Sequence, residues 1–575
     1  MSASDGGGKA APAQPSVLQK ALRGGSYLFL QKILTFALNS FVLRKLQLSV
    51  TGAATVHCEL ALATIFLLRD GMRLGFLRVP SLDTSAQQAV KDEDSGDKNK
   101  KQSRGAYVQQ LVNVAWLSTA VSWCIASVIA LSISIWQPAA ARSKDASDGL
   151  QDYTVVMCMY CVAAMIEALA EPMYVLAHCS VYVSWQVSAQ GLGFLMRGFV
   201  QYVCIFLLDL GFLAHGCAEI AYATTLFVVF AVLFSTRIQE AHQNPTTAPF
   251  ALHSMRDLLP GRPSTGPIFE RQLMVIMFPL SVQSAVKYLL TEGDKWVLTF
   301  FSSFQNMGVY GIVFHLGSLV PRIVFLPIEE ATKTIFSKMT TSSDGKGDPK
   351  ATSTTEARRM VTILLKFMSL VGLVFVCFGT SYAHTLILLL YGVEKARLGV
   401  GRSLAMYCVY INFLGLNGIC EAFVHAVGNE KQLMQLNKLM GFFFMAYCAS
   451  AWFFMSVLQL GTVGIIMANC VNMGCRIAYC MSFMAQYFKE PHAVAFWRQS
   501  LPDRLVLAAF IGSFAVTQAS QRVFLGEGNG ESIQKNVLHV VVGSCCFAMT
   551  LLALYVKERG FLMNQVNKLR RPHQD

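Results

Sequence analysis

Charge is scarce in this chain: only 14% of its 575 residues are Asp, Glu, Lys or Arg, against roughly 25% in a soluble globular domain. With 54% hydrophobic residues and a mean hydropathy of +0.45, that deficit excludes an ordinary water-soluble fold. It predicts an all-α polytopic membrane protein. Other absences narrow the function. No GxxxxGK[ST] loop occurs, so no ATP motor is expected within the chain. Neither HExxH nor GxSxG occurs, and no catalytic constellation is legible. The chain is therefore not expected to be an enzyme, and no cofactor is expected. No Asn-x-Ser/Thr acceptor is present, since Asn244 precedes a proline. The opening MSASDGGGKAAPAQPS lacks the apolar core and small-residue cleavage site of a signal peptide. The first membrane helix is therefore expected to do the targeting.

Cysteine is plentiful, at sixteen residues, but its placement excludes a metal site. Cys158 and Cys161 form a CxxC inside the apolar run VVMCMYCVAA, with no second pair and no flanking histidine. Structural zinc needs four ligands. The thiols read as apolar packing groups, and no metal is expected.

What is present is a series of apolar runs. A spanning helix needs about 20 mostly apolar residues. About fourteen candidates occur, at 21–44, 52–77, 107–136, 152–179, 183–208, 215–237, 270–300, 306–336, 360–391, 402–427, 432–458, 461–488, 503–525 and 534–556. Links after even-numbered spans carry the Lys and Arg, as with Arg256, Arg262 and Arg271 after the sixth and Lys489, Arg498 and Arg504 after the twelfth. Links after odd-numbered spans are short and poor in Lys and Arg, the one after the ninth being the worst exception. The positive-inside rule then places both termini in the cytosol. The net charge of +13 is mostly this topology signal. The basic clusters lack a reading fold, so no nucleic acid is expected as a partner.

The expected organisation begins with a polar cytosolic N-terminus over 1–18. An N-terminal lobe comes next, over 19–238, with a polar loop at 80–106, and then a Pro-, Ser- and Thr-rich linker over 239–269. A C-terminal lobe spans 270–488, an extra helix pair 489–557 and a basic tail 558–575. Two six-helix lobes around a central site are a recurring transporter design.

The charges that lie inside apolar runs are the informative ones, because each costs several kcal/mol at mid-bilayer unless it is paired or faces a polar cavity. Residues seven apart return to nearly the same helix face. His315, Arg322 and Glu329 are spaced by seven beside Pro321 and Pro327, and Lys287 and Asp294 are likewise seven apart, within TEGDK and the turn before it. Lys32, Thr35 and Asn39 share a face, as do Asn469, Asn472 and Arg476. Glu167 and Glu171 step by four, as do Asn417, Glu421 and His425. One reading is interhelical pairing that locks a bundle: Glu292 with Lys295, and Glu421 with His425. The other is a hydrophilic cavity for an anion, since cations recur along the chain at Lys32, Arg44, Arg69, Arg197, Lys287, Arg322 and Arg476.

The stretches FVLRKL from Phe41, LLTEGDKWVLTF from Leu289, MGVYGIVFHLGSLVPRIVFLPIEE from Met307, LNGICEAFVHA from Leu416 and GIIMANCVNMGCRI from Gly464 resemble the Rft family, in order, from about Leu18 to Gly560. The resemblance implies an endoplasmic-reticulum membrane protein required for N-glycosylation. It also implies the fold of the multidrug/oligosaccharidyl-lipid/polysaccharide exporter superfamily: about fourteen transmembrane helices, as two six-helix lobes around a central cavity plus a C-terminal helix pair. The implied activity is translocation of Man5GlcNAc2-pyrophosphoryl-dolichol from the cytosolic to the lumenal leaflet. The alternatives are a non-transporting scaffold or chaperone serving the glycosylation enzymes and, further off, an ion-coupled drug exporter. On that architecture Lys32, Arg44, Lys287 and Arg322 are expected to contact pyrophosphate. Glu292 and Glu329 would orient those cations or meet sugar hydroxyls, and Asp294 belongs to the same set. Arg69 and Arg476 are second choices. The expected partners are the dolichol-linked oligosaccharide, the bilayer and N-glycosylation enzymes.

Overall fold

The computed structural model describes residues 36–77, 98–135, 149–180, 182–243, 250, 252, 254–264, 266–341, 350–489, 497, 498, 500–526 and 532–570. Among them every regular element is helical. In chain order these are α1 (36–45), α2 (Leu48–Ile65, with a π-turn at Ala53–Cys58), α3 (Arg69–Phe76), α4 (Lys98–Ile135), α5 (Tyr153–Cys179), α6 (Val183–Phe206) and α7 (Leu213–Gln243). Next come α8 (Arg271–Thr291), α9 (Gly293–Phe301), α10 (Phe304–Gly317), α11 (Leu326–Thr341), α12 (Lys350–Val374), α13 (Thr380–Tyr391) and α14 (Val393–Arg397). The last are α15 (Val400–Val427), α16 (Glu430–Trp452), α17 (Gly461–Tyr487), α18 (Arg504–Leu525) and α19 (Ile533–Arg570).

Eleven helical stretches among the described residues are long and apolar enough to cross a membrane. Helices α6 and α18 occupy two more of the expected positions but are not among those eleven. Most of the remaining expected span, 21–44, lies outside the described residues.

Five expected spans are not continuous α-helices, and two of the interruptions fall beside candidate site residues. The run 270–300 divides at Glu292 (ψ 7°), where α8 stops and α9 starts. The run 306–336 is interrupted by a π-turn at Pro321–Phe325. Proline has no N–H to give to the α-ladder. The wider turn shifts the helical register of α11 by about one residue, or about 100°. The spacing of seven therefore does not carry the face of Arg322 on to Glu329.

The described chain falls into two compact units. One contains the chain up to Lys45, Ile65–Pro138 and Thr154–Ser284. Its core joins Met72 and Phe76 of α3 to Leu111 and Val114 of α4, Val175 of α5 and Met277 of α8. A second cluster sets Phe230 and Phe234 of α7 against Leu252 and Leu258. One face of α4 grips the chain after α7 by its backbone: Asn113 donates to the Gly261 and Ile268 carbonyls (2.8 and 2.9 Å) and accepts from the Gly261 N–H (3.0 Å). Gln109, Gln110 and Trp116 donate to the carbonyls of Leu259, Pro267 and Leu258. Irregular backbone in a membrane protein is thus satisfied by protein instead of water.

The other unit contains Leu46–Thr64, Ala139–Tyr153 and the chain from Ala285 onward. Here α2 and α10 touch backbone to backbone. A Cβ on Gly308 would collide with the Leu48 carbonyl, and one on Gly52 with the Phe304 carbonyl. Small residues allow such approach, which is how apolar helices associate when lipid removes the hydrophobic drive. Helices α13, α18 and α19 are joined by a buried polar network. The His539 ring lies 3.2 Å from the Ser381 carbonyl through Nε2 and 2.8 Å from the Ser520 hydroxyl through Nδ1. A carbonyl only accepts, so Nε2 carries the proton and Nδ1 accepts from Ser520.

Candidate functional site

The candidate residues of the second unit separate by whether their charge is already matched. Lys295, at the start of α9, lies 2.9 Å from Glu292 and 3.1 Å from Glu59 of α2. Glu329 pairs with Lys333 one turn on, at 2.8 Å. Arg476 of α17 places Nε and Nη2 each 2.6 Å from Oε1 of Glu421 on α15. The alternative of Glu421 pairing with His425 is thus replaced by a cross-helix ion pair. Asn417 and Asn469 are buried within α15 and α17.

Lys287 and Arg322 differ. Both are exposed, and neither has a carboxylate partner among the described residues. Arg322 sits in the π-turn after α10, its guanidinium carbon 5.8 Å from the centroid of the Phe314 ring. Lys287 lies on α8, one turn before the break at Glu292. A cation held in an ion pair has its charge neutralised, whereas Lys287 and Arg322 have no such partner among the described residues. Asp294 is held by neutral donors: the Tyr310 hydroxyl at 2.6 Å and the Asn469 amide at 2.9 Å, both on Oδ2.

In the first unit the candidates sit in a ladder. Arg69 lies 2.6 Å from Glu167 and its guanidinium stacks 3.9 Å above the Phe66 ring. One turn on, Arg73 grips Glu171 at two points and stacks 3.7 Å above Tyr174. Two pairs stepping by four on facing helices complement each other. Arg197 pairs with Glu219 at 3.0 Å. Arg44 ends α1 exposed, beside Lys45, which pairs with Asp209 at 2.9 Å. Lys32 and Thr35 lie outside the described residues.

Sequence reasoning missed Glu59 and Arg73 as partners, although each is a charge inside the apolar run 52–77. The link after the ninth expected span, the worst exception to the charge asymmetry, contains Lys395. In the structure Lys395 is buried, and its ammonium donates to the Leu46 carbonyl at 2.6 Å. It is a packed group, not a solvated link charge, which removes part of the exception.

Comparison with known proteins sets these residues in a family context. The family profile described as "Rft protein" matches residues 25–568. A Dictyostelium discoideum protein named Man(5)GlcNAc(2)-PP-dolichol translocation protein RFT1 is 27% identical over 571 residues, covering 95% of this chain and 96% of its own. A Xenopus tropicalis protein of the same name is 30% identical over 560 residues, covering 94% and 96%. Among solved structures, that of the lipid II flippase MurJ in an inward closed conformation gives a TM-score of 0.54 at 11% identity, over 93% of this chain and 99% of its own. At that identity the likeness speaks for the fold alone, an all-helical multi-pass membrane protein.

Proposed function

The chain belongs to the Rft family, and on that premise we propose that it translocates Man5GlcNAc2-pyrophosphoryl-dolichol across the endoplasmic-reticulum membrane, from the cytosolic to the lumenal leaflet. The observation that carries the site is the pair of exposed, carboxylate-free cations, Lys287 and Arg322. A pyrophosphate brings negative charge that cannot cross about 30 Å of hydrocarbon bare. Cations in a polar path lower that barrier by replacing the water around the phosphates. Arg322 suits this by bidentate contact and Lys287 as a point charge.

The remaining candidates have a supporting part. Glu292, Glu329, Arg69 and Arg476 are each engaged with a protein partner. They hold helices in place, and Glu292 and Glu329 meet sugar hydroxyls at their margins. The activity is transport, with no chemical change to the lipid. Both termini face the cytosol, and the N-glycosylation enzymes that supply and consume the lipid are the proposed partners.

The test in cells replaces Lys287 and Arg322 together by Gln, in a strain that depends on this protein. Hypoglycosylation at normal protein abundance is the expected outcome. Full N-glycosylation by the double variant would remove these two residues from the site.

A further inference from the structure

The chain between α7 and α8, in the first unit, is irregular yet fixed. Its backbone is tied to one face of α4 at Leu258, Leu259, Gly261, Pro267 and Ile268. A single amide nitrogen of Asn113 serves the carbonyls of both Gly261 and Ile268, so the chain at these two points lies side by side. Leu258 is buried against Phe230 and Phe234 of α7 and anchors the segment from below. Polar backbone satisfied in this way can stand at a membrane boundary without needing water.

The side chains that face outward are of two kinds. Arg256, Arg262 and Arg271 are exposed, and none has a carboxylate partner among the described residues. The acids beside them are turned to the backbone instead: Asp257 accepts from the Ser254 N–H at 2.9 Å, and Glu270 from the Gln272 N–H at 3.2 Å. Between the arginines, Leu259, Ile268 and Phe269 are exposed as well. Basic residues interleaved with bare apolar ones mark a chain that lies in a membrane interface. The height agrees. The apolar stretch of α4 runs over 31 residues, Gly105–Ile135, about 46 Å at 1.5 Å per residue. The hydrocarbon core is about 30 Å thick, so the turn of α4 that carries Gln109 and Gln110 stands at headgroup level, with Asn113 and Trp116 just beneath it.

We propose that this segment is a docking surface for anionic phospholipid headgroups. Arg256, Arg262 and Arg271 meet the negative headgroups, while Leu259, Ile268 and Phe269 enter the boundary beneath them. An acidic protein segment would satisfy the arginines but not the apolar side chains at that height, so lipid is the occupant the surface fits. Each arginine beside an anionic surface raises affinity about fivefold. The backbone is already held by α4, so docking orders little chain and loses little entropy. The proposed topology puts this surface at the cytosolic leaflet, but the lipid preference depends neither on that side nor on the translocation reading.

The test reads hydrogen exchange in the purified full-length protein, so it needs no transport assay. The protein is placed in nanodiscs of phosphatidylcholine alone or with about 30% phosphatidylserine, the latter supplying the negative surface. Peptides covering residues 254–271 are expected to exchange at least threefold more slowly with phosphatidylserine present. Inorganic phosphate added to the phosphatidylcholine discs is expected to give no such protection. Replacing Arg256, Arg262 and Arg271 together by Gln should abolish it. Replacing Lys431, Arg498 and Arg504 by Gln removes the same charge from exposed positions elsewhere in the chain and should leave it intact. Equal exchange of the wild type in the two bilayers would overturn the proposal without recourse to any variant. So would protection that free phosphate reproduces, that survives the loss of the three arginines, or that the remote triple replacement removes equally.

Discussion

Arg73 and Glu171 meet in a two-point ion pair, Nε on Oε1 at 2.7 Å and Nη2 on Oε2 at 2.6 Å. The Glu171 side chain is 4% exposed, so removing the arginine strands a buried carboxylate. Arg73→Ala is expected to cost about 3–5 kcal/mol of stability. The double replacement Arg73→Met with Glu171→Leu should recover most of that loss, because both charges leave together. Denaturant titration in detergent measures both.

The hold of α4 on the chain after α7 gives a local prediction. Asn113→Ala removes three hydrogen bonds to backbone groups of Gly261 and Ile268. The expected cost is about 1–3 kcal/mol. It should appear first as faster hydrogen exchange over residues 258–268, with the helices of the second unit unaffected.

Close backbone approach makes Gly308 irreplaceable. A methyl group there meets the Leu48 carbonyl, whereas one at Gly441, on α16, meets nothing within 4 Å. Gly308→Ala is expected to reduce the folded, monodisperse yield severely. Gly441→Ala should be neutral or stabilising by up to about 1 kcal/mol. Size-exclusion profiles and unfolding temperatures of the two variants decide the matter.

Lys395 supplies a pH dependence outside the spans. Burial lowers its pKa from the ordinary lysine value, outweighing the opposing pull of Glu394. Between the lowered folded value and the unfolded value of about 10.4 the unfolded chain binds more protons. Stability should therefore rise with pH through that window. Lys395→Met is expected to remove this rise, which is read as the difference between the two melting curves at pH 7 and pH 10.

Much of this fold was visible in the apolar runs, because a membrane requires long apolar helices and hydropathy reports them directly. The embedded charges were visible too: Glu167, Glu171, Lys287, Glu292, Asp294, Arg322, Glu421 and Arg476 all stood out against their surroundings. Their partners were not, because pairing depends on which helices face one another. Glu292 with Lys295 was legible, since the two lie three apart on one chain. Arg73 with Glu171, Lys295 with Glu59, and Arg476 with Glu421 are long-range pairs that spacing does not reveal. The π-turn at Pro321–Phe325 was foreshadowed by the two prolines, but its effect on the face shared with Glu329 required the backbone itself.

Lys287 and Arg322, exposed and without a carboxylate partner among the described residues, are the proposed contacts of a moving pyrophosphate lipid. The direct measurement is transbilayer movement of Man5GlcNAc2-pyrophosphoryl-dolichol in vesicles containing only the purified protein. Wild type is compared with Arg322→Ala at equal incorporation and equal unfolding temperature. Rapid equilibration by wild type, slowed at least tenfold by the substitution, is the predicted result. Lipid that binds the folded wild-type protein but stays in its original leaflet would contradict translocation and leave a membrane scaffold in its place.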